Sequence, residues 1–320
     1  MPDLALLKDA FRKSLQVQTR TRKNGFALII VIWIAGILGL MSAGAVKNVR
    51  VFLRETAGKV EGARAEALAD SGITLAVMDL IAGRKSPTYA RRFTSDNSPT
   101  ACGVGNDQIL VRIQDAGGRV NLNMAGVRLL QALFLGLGLD LDTASRYADT
   151  IIDFRDQDDD QRPAGAEKPA YLAAGRKWGP KNAQFDAVEE LHQVLGLDPK
   201  TIAAMDAHVT VHSGMAGVDP KVITNKLSSI LIDGQQHLPA TNSQRGDVNG
   251  FPVEFLMSSS RRVFVINSEA RLATGAVFVR EAVIDFSLTQ NVYRVFKSWK
   301  RGHIVVDGAS EIDTEALTPC

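Results

Sequence analysis

The segment from Phe26 to Val46 constrains the fold more than any other part of the chain, because it runs for 21 residues without a charged side chain. At a rise of about 1.5 Å per residue, a helix of this length is roughly 30 Å long, which is enough to cross the hydrocarbon core of a bilayer. No later stretch is comparably long and apolar. The sequence therefore predicts one transmembrane helix at residues 26–46, followed by a large body outside the membrane.

The composition of the whole chain is that of an ordinary globular protein. Its 320 residues are 45% hydrophobic and 22% charged, with a net charge of +2 and a mean hydropathy of −0.01. These values exclude a disordered chain and a transporter with many spans. Two cysteines are too few for a fold of this length that is held together by disulfides. The net charge does not indicate a nucleic-acid partner, and the length predicts about two domains.

The residues around the apolar run leave three interpretations open. Basic residues outnumber acidic ones ahead of the run, which favours a cytoplasmic N-terminus, although Lys47 and Arg50 also follow it. A secretory signal peptide is the first interpretation, since Ala43-Gly44-Ala45 has the small residues of a cleavage site, but the apolar run is too long for a signal peptide. An uncleaved anchor is the second. The third rests on Gly25 and Phe26, where a basic, polar leader ends in Gly and an apolar helix begins with Phe.

This junction resembles the processing signal of type IV pilins and pseudopilins. The resemblance implies that prepilin peptidase cuts between Gly25 and Phe26 and that the new N-terminal Phe26 is methylated. Most members of these families carry Glu at the fifth mature position, which is Ile30 here. In their filaments that carboxylate pairs with the N-terminal amine of a neighbouring subunit, because a buried charge needs a partner. A subunit with Ile30 tolerates a missing neighbour on one side, which suits the tip of a filament.

The pattern after the apolar run predicts a mixed fold. Helical spacing continues through residues 47–83, although three glycines interrupt it, and residues 84–106 are rich in Pro, Gly, Ser and Asn, as loops are. Gln108–Gln114 alternates like a strand, and residues 122–232 are mainly helical in pattern. Strands are predicted again at 262–266, 276–278, 281–288 and 292–297. The expected fold class is α+β, with a pilin-like long N-terminal transmembrane helix, an antiparallel sheet and a large inserted all-α domain.

A helical insertion within a helix-and-sheet body resembles the minor pseudopilin K family of the type II secretion system. Three motifs in the insertion carry the resemblance and occur in order, at Gly118–Ala125, Ala148–Asp159 and Gly165–Gly196. The expected organisation is a leader at 1–25, an N-terminal helix at 26–83, a pilin-like body at 84–118 and 236–302, an inserted helical domain at 119–235 and a C-terminal tail at 303–320.

The resemblance implies a structural subunit that caps or initiates the tip of the periplasmic pseudopilus, for the export of folded proteins across the outer membrane. The implied partners are minor pseudopilins I and J, other pseudopilins, prepilin peptidase and the inner-membrane secretion platform. The implied location is the cell inner membrane, with a single span, a cytoplasmic N-terminus and a periplasmic main domain. A minor pilin of a type IV pilus is the alternative.

A membrane-anchored DNA-binding protein is a further alternative from another class. Residues 120–152 partly resemble helix-hairpin-helix modules of DNA-uptake proteins, which need basic side chains beside the phosphates. Residues 149–160 instead hold six Asp and one Arg, which repel a polyanion. We therefore expect no nucleic-acid partner.

The acidic segment Asp156–Glu167 predicts a calcium site. It is 12 residues long and places acidic side chains at its first, third, fifth and twelfth positions, from which an EF-hand loop offers carboxylates to Ca²⁺. Gln161 and Pro163 depart from that loop, and an exposed acidic loop without a metal stays the alternative. The family resemblance also implies calcium in the helical domain. The expected ligands are Asp156, Asp158, Asp159, Asp160 and Glu167.

The remaining candidates do not form a catalytic pattern. His208 and His212 flank β-branched residues, which predicts a strand with solvent-facing or capping histidines, and no Glu follows the first His as in zinc peptidases. The sequence has no nucleophile elbow, phosphate-binding loop or Cys-x-x-Cys motif, so we expect no enzymatic activity. Cys102 and Cys320 are compatible with an oxidising periplasm, and the sequence leaves open whether they pair.

Overall fold

The computed structural model describes residues 25–86, 88–239, 247–248, 251–287, 295–303 and 318–320. The expected leader lies outside the described residues except for Gly25, and so does most of the expected tail at 303–320. The chain divides into two compact units, Met1–Val60 and Glu61–Cys320. The domain boundaries expected from the sequence stay predictions.

Helix α1 spans Gly25–Lys85, so the helical pattern predicted for residues 47–83 is confirmed. Within the described part of the chain, no helix meets the combined requirement of length and apolarity for a membrane span.

One of the glycines that interrupt the helical pattern has a packing role. A Cβ on Gly72 would lie 2.1 Å from the Ser268 Oγ and 2.6 Å from the Ile109 Cγ2, both on the sheet. The missing side chain therefore lets helix α1 approach the sheet closely at this turn.

The described strands are β1 (Thr100–Val104), β2 (Asp107–Asp115), β3 (Val120–Asn121), β4 (Val209–Thr210), β5 (Asp247–Val248), β6 (Phe251–Pro252), β7 (Val263–Arg271), β8 (Val277–Asp285) and β9 (Val295–Arg301). Five of them form one sheet in the order β1-β2-β7-β8-β9, and every neighbouring pair is antiparallel. The predicted α+β class, a helix with an antiparallel sheet, is confirmed. One face of the sheet packs on the apolar face of helix α1, which presents Ile73, Ala76, Val77 and Leu80 to the shared core.

Two details of the predicted strands were wrong. Residues 100–104 form strand β1 within the predicted loop, because they pair with β2 through a tight turn in which Gly105 has a φ of +62°. Strand β8 is continuous where the sequence predicted two pieces. Its fourth residue, Arg280, is only 7% exposed and carries its charge into the protein, which breaks the alternating pattern.

The helical region lies between β2 and β7, which are neighbours in the sheet but far apart in sequence. Its helices are α2 (Val127–Gly136), α3 (Leu141–Arg155), α4 (Lys168–Ala173), α5 (Pro199–Met205) and α6 (Asn225–Gln236). The short strands β3 and β4 pair in parallel, so Val120 lies beside Val209. These elements enclose a separate apolar core that includes Leu130, Leu133 and Tyr171.

The C-terminus returns to the sheet. Cys320 forms a disulfide with Cys102 of strand β1, which answers the pairing that the sequence left open. The backbone N–H of Gly103 donates to the Thr318 carbonyl, and the N–H of Cys320 donates to the Gly103 carbonyl, each at 3.0 Å. The end of the chain is therefore held beside the first strand of the sheet.

Candidate functional site

The acidic loop begins where helix α3 ends. Asp140 caps the start of that helix by accepting a hydrogen bond of 2.9 Å from the Thr143 N–H, and Arg155 is its last residue. The Arg155 guanidinium donates to the carbonyl oxygens of Leu122 and Ala125, the latter at 2.6 Å. The cation that immediately precedes the acidic loop is therefore committed to backbone carbonyls.

One carboxylate of helix α3 holds the loop in place. Asp149 is buried, and its two oxygens accept hydrogen bonds from the Arg162 Nε at 2.8 Å and from the Ala164 N–H at 3.1 Å. Asp153 accepts a third bond through its Oδ2, from the Arg162 N–H at 3.2 Å. These contacts fold residues 162–164 back over the helix.

Several buried oxygens near the loop have no hydrogen-bond donor among the described residues. They are the Oδ1 of Asp153, the Oδ1 of Asp156, both carboxylate oxygens of Glu167 and the Oδ1 of Asn182. Asp153 is 0% exposed and Glu167 is 3% exposed, so water does not freely compensate for the missing donors. An unsatisfied buried polar atom costs free energy, and a charged one costs more.

Burial and neighbouring negative charge both disfavour the ionised carboxylates of this cluster. Burial, followed by the charges of Asp153, Asp156 and Asp159, raises the pKa of Glu167 to about 7. Burial also raises the pKa of Asp153 and of Asp156, and neighbouring acids add to each shift. The site therefore holds more negative charge than its surroundings stabilise, and it favours either a proton or a bound cation.

The five predicted ligands occupy different environments. Asp156 and Glu167 contribute unpaired buried oxygens, whereas Asp158, Asp159 and Asp160 are exposed. The Oδ1 of Asp158 accepts a bond of 3.0 Å from the Asp160 N–H, and the Oδ1 of Asp159 accepts one of 2.9 Å from the Asn182 Nδ2. Among the described residues, no three or more acidic, histidine or cysteine side chains are grouped closely enough to hold a metal ion as they stand.

Two members of the cluster are missing from the ligand set that the sequence predicted. Asp153 lies on helix α3 before the 12-residue segment begins, and Asn182 lies 15 residues beyond its end. Asn182 has a φ of +49°, and its N–H donates to the Phe154 carbonyl at 3.0 Å. That left-handed backbone conformation, unusual outside glycine, turns the Asn182 side chain towards the loop. The buried position of Asp153 on an apolar helix face is the signal that identifies it.

Gly165 is required for the loop to close. A Cβ at this position would lie 2.0 Å from the Oδ2 of Asp153 and 2.7 Å from its Cγ. The loop backbone therefore passes directly over the Asp153 carboxylate, and no other residue fits there without displacing it.

His208 and His212 do not both face solvent. His208 is 4% exposed, and burial together with the positive charges of Lys226 and Arg119 lowers its pKa to about 4. The prediction that it faces solvent was wrong, because strand β4, which follows it, pairs with β3 inside the helical region. The predicted strand between the histidines is confirmed as β4.

Comparison with known families decides the assignment of the helical region. The family model described as type II secretion system (T2SS), protein K, matches residues 110–214, which run from strand β2 through the acidic loop to the end of the 208–212 segment. Residues 110–214 therefore carry the protein K domain of the type II secretion system. The protein functions as a minor pseudopilin, which is a structural component of the secretion machinery.

The fold agrees with this assignment to the protein K family. One chain of the crystal structure of the GspK-GspI-GspJ complex from the enterotoxigenic Escherichia coli type 2 secretion system matches with a TM-score of 0.53 and 19% identity. The match covers 80% of the present chain and 99% of that chain. At this identity the likeness establishes the fold. No curated protein matches the sequence.

Proposed function

We propose that this minor pseudopilin caps the tip of the periplasmic pseudopilus and initiates its assembly together with minor pseudopilins I and J. The observation that carries the proposal is the helical region inserted between β2 and β7, which a pilin-like helix and sheet do not need for their own core. A bulky insertion is tolerated where no subunit stacks above. The fold match to a chain of a complex named for K, I and J supports the same partners.

Co-purification tests this placement. The full-length chain carrying an affinity tag is co-expressed with minor pseudopilins I and J of the same organism, and in parallel with that organism's type IV minor pilins. Capture of I and J in a stoichiometric complex is the expected result. Capture of the type IV minor pilins alone would contradict the proposal and favour a subunit of a type IV pilus.

We further propose that residues 26–46 anchor the protein in the inner membrane after prepilin peptidase cleaves between Gly25 and Phe26 and the new N-terminal Phe26 is methylated. The main domain would then lie in the periplasm. Support comes from the uncharged run and from the large apolar side chains between Leu28 and Met41, which are 46% to 76% exposed. Such a surface is stable against lipid or against other apolar helices.

Mass spectrometry of the mature protein is expected to find methylated Phe26 as its first residue, and a chain that starts at Met1 or Val46 would contradict this.

We also propose that the acidic loop binds Ca²⁺. The side chains that would hold the ion are Asp153, Asp156 and Glu167 with the amide oxygen of Asn182, because their unpaired buried oxygens are the hard donors that Ca²⁺ selects. A bound divalent cation would supply the positive charge that this cluster lacks and would fix the loop against helix α3. The remaining predicted ligands, Asp158, Asp159 and Asp160, are exposed and would contribute less.

Titration calorimetry with Ca²⁺, with EGTA as a control, tests the calcium proposal. Glu167→Gln and Asp153→Asn are expected to abolish binding, whereas Asp160→Asn is the matched control that leaves it nearly unchanged. Equal losses in Asp160→Asn and Glu167→Gln would instead support ligation in the EF-hand order. The absence of heat and of any calcium-dependent rise in Tm would contradict the proposal.

A further inference from the structure

A cavity lined by positive charge lies at the C-terminal end of helix α1. The cavity has a volume of about 510 Å³, and four cationic side chains line it: Arg84, Arg91, Lys221 and Arg261. We propose that this cavity binds an acidic segment of another protein, with its carboxylates on the cationic rim and an apolar side chain on the floor. This goes beyond the proposed function, which assigns no contact residues.

The cationic groups of the cavity form no ion pair with a carboxylate of the described residues. Within the described residues, none of these four side chains lies within 4.0 Å of a carboxylate oxygen. The two acids on the lining are already engaged. Asp96 accepts bonds from the Thr94 hydroxyl at 2.7 Å and the Ser98 N–H at 2.9 Å, and Asp115 accepts one from the Gly117 N–H at 2.8 Å. The cavity therefore keeps a net positive field that an acidic ligand would neutralise.

The backbone around Arg261 is built to hold that residue at the rim. Arg261 has a φ of +51°, a left-handed conformation that is costly for a residue with a side chain. Its N–H donates to the Ser259 Oγ at 3.0 Å, and that hydroxyl donates to the Asp115 carboxylate at 2.8 Å. The Arg84 guanidinium donates to the Arg261 carbonyl. Backbone strain held by a specific network is typical of residues positioned for a purpose.

The other two arginines are also fixed in place. The Arg84 guanidinium stacks over the Phe286 ring, with its Cζ 4.7 Å from the ring centroid. Arg91 lies across helix α1 at Gly83, where a Cβ would come within 2.3 Å of the Arg91 Nε. An ordered cation loses less conformational entropy on binding than a free one, so this arrangement favours recognition.

The floor of the cavity points to a peptide rather than to a small inorganic anion. Phe93, Val222 and Phe264 line it and are almost fully buried, so they present a small apolar base within the cationic rim. A second cavity of about 510 Å³ shares Arg84 and Ser260 with the first and carries two more cations, Lys85 and Arg262. Two such cavities side by side suit an extended chain that alternates carboxylates with apolar side chains.

Fluorescence anisotropy with a defined probe tests the proposal on the full-length protein in detergent micelles. The probe is a labelled peptide that alternates glutamate with leucine or phenylalanine, and its control replaces every glutamate with glutamine. The expected result is binding of the glutamate peptide alone, weakened as salt is added. Binding of both peptides with equal affinity would overturn the proposal.

A pair of variants with the same charge change locates the binding site. Arg91→Gln with Lys221→Gln is expected to weaken binding by about tenfold or more, because it removes two rim charges. Lys177→Gln with Lys200→Gln removes two exposed charges away from the cavity and is expected to change the affinity less than about twofold. Equal affinities in the two double variants would overturn the proposal, as would binding of inorganic phosphate without binding of the acidic peptide.

Discussion

Cys320, the last residue of the chain, is bonded to Cys102 of strand β1 across a sequence separation of 218 residues. The Arg92 guanidinium reinforces this attachment by donating to the carbonyl oxygens of Cys320 at 2.7 Å and Pro319 at 2.6 Å. Because β1 lies at the edge of the five-stranded sheet, the C-terminal residues cover part of an edge that would otherwise be open to pairing.

Reduction of this disulfide is expected to lower the free energy of unfolding by about 2–5 kcal/mol, since the long closed loop limits the entropy of the unfolded chain. Urea denaturation with and without dithiothreitol measures the difference. Cys320→Ser should match the reduced protein and should show no further response to dithiothreitol. A wild-type midpoint that does not respond to reduction would contradict the prediction.

Gly234 is expected to tolerate no side chain, because helices α2 and α6 meet there backbone to backbone. A Cβ on Gly234 would lie 1.8 Å from the Ala132 carbonyl oxygen and 2.8 Å from the Gly136 nitrogen, and neither atom can move independently of helix α2. Gly234→Ala should therefore lower the free energy of unfolding by about 1–3 kcal/mol or more, although alanine favours helices.

Gly62→Ala, also inside a helix, is the matched control for Gly234→Ala. A Cβ on Gly62 meets no atom within 4 Å, so this variant should be neutral or slightly stabilising in thermal denaturation. Similar Tm values for the two variants would show that the helix contact is looser than the structure indicates.

Much of the fold could be predicted from the sequence, because apolar periodicity records which face of an element is buried. Helix α1 and strand β2 follow from such patterns. Strand β1 could not be predicted, since its residues form a strand only when paired with β2. The sequence predicted strand β8 as two pieces because Arg280 is a charged residue that is nonetheless buried. Its guanidinium donates to the Asp70 carboxylate at 2.6 Å and also pairs with Glu66. A long-range ion pair of this kind leaves no local signal.

The candidate site was predicted in part for a similar reason. The linear spacing of carboxylates singled out Asp156 and Glu167, whose oxygens are buried and unpaired. It could not identify Asn182, which reaches the cluster only through the fold, and it did not separate Asp153 from the structural residues of helix α3. The spacing of acidic residues along the chain predicts which side chains of the loop could bind a metal ion. Burial in the folded protein decides which of those side chains belong to the same cluster.

Glu167 is expected to make the calcium-free protein less stable as the pH rises. Its folded pKa is about 7 against an ordinary value of 4.5, so the folded state binds more protons than the unfolded state between these values. Stability from this group is therefore present below pH 4.5 and is lost as the pH rises through 7. The Tm difference between the wild type and Glu167→Gln, measured in EGTA, isolates this group and should shift against the wild type as the pH rises across this range, and excess Ca²⁺ should remove the shift.

Glu167→Gln separates the two roles of this side chain. Because glutamine has no charge to bury, the variant should be more stable than the wild type at pH 7 in EGTA and less stable than the wild type in Ca²⁺. A variant that is less stable under both conditions would show that Glu167 stabilises the fold without a cation, and would contradict the assigned electrostatics.

His208 is expected to make the protein sensitive to acid. Its folded pKa is about 4 against an ordinary value of 6.5, because burial and the charges of Lys226 and Arg119 oppose protonation. Between these values the unfolded chain binds the proton and the folded protein does not, so stability is lost as the pH falls from 6.5 to 4, by up to about 3 kcal/mol. His208→Gln should flatten the dependence of the unfolding free energy on pH in this window. His192, which is exposed, provides the control position. Equal slopes in wild type and His208→Gln, or equal slopes in His192→Gln and His208→Gln, would contradict the prediction.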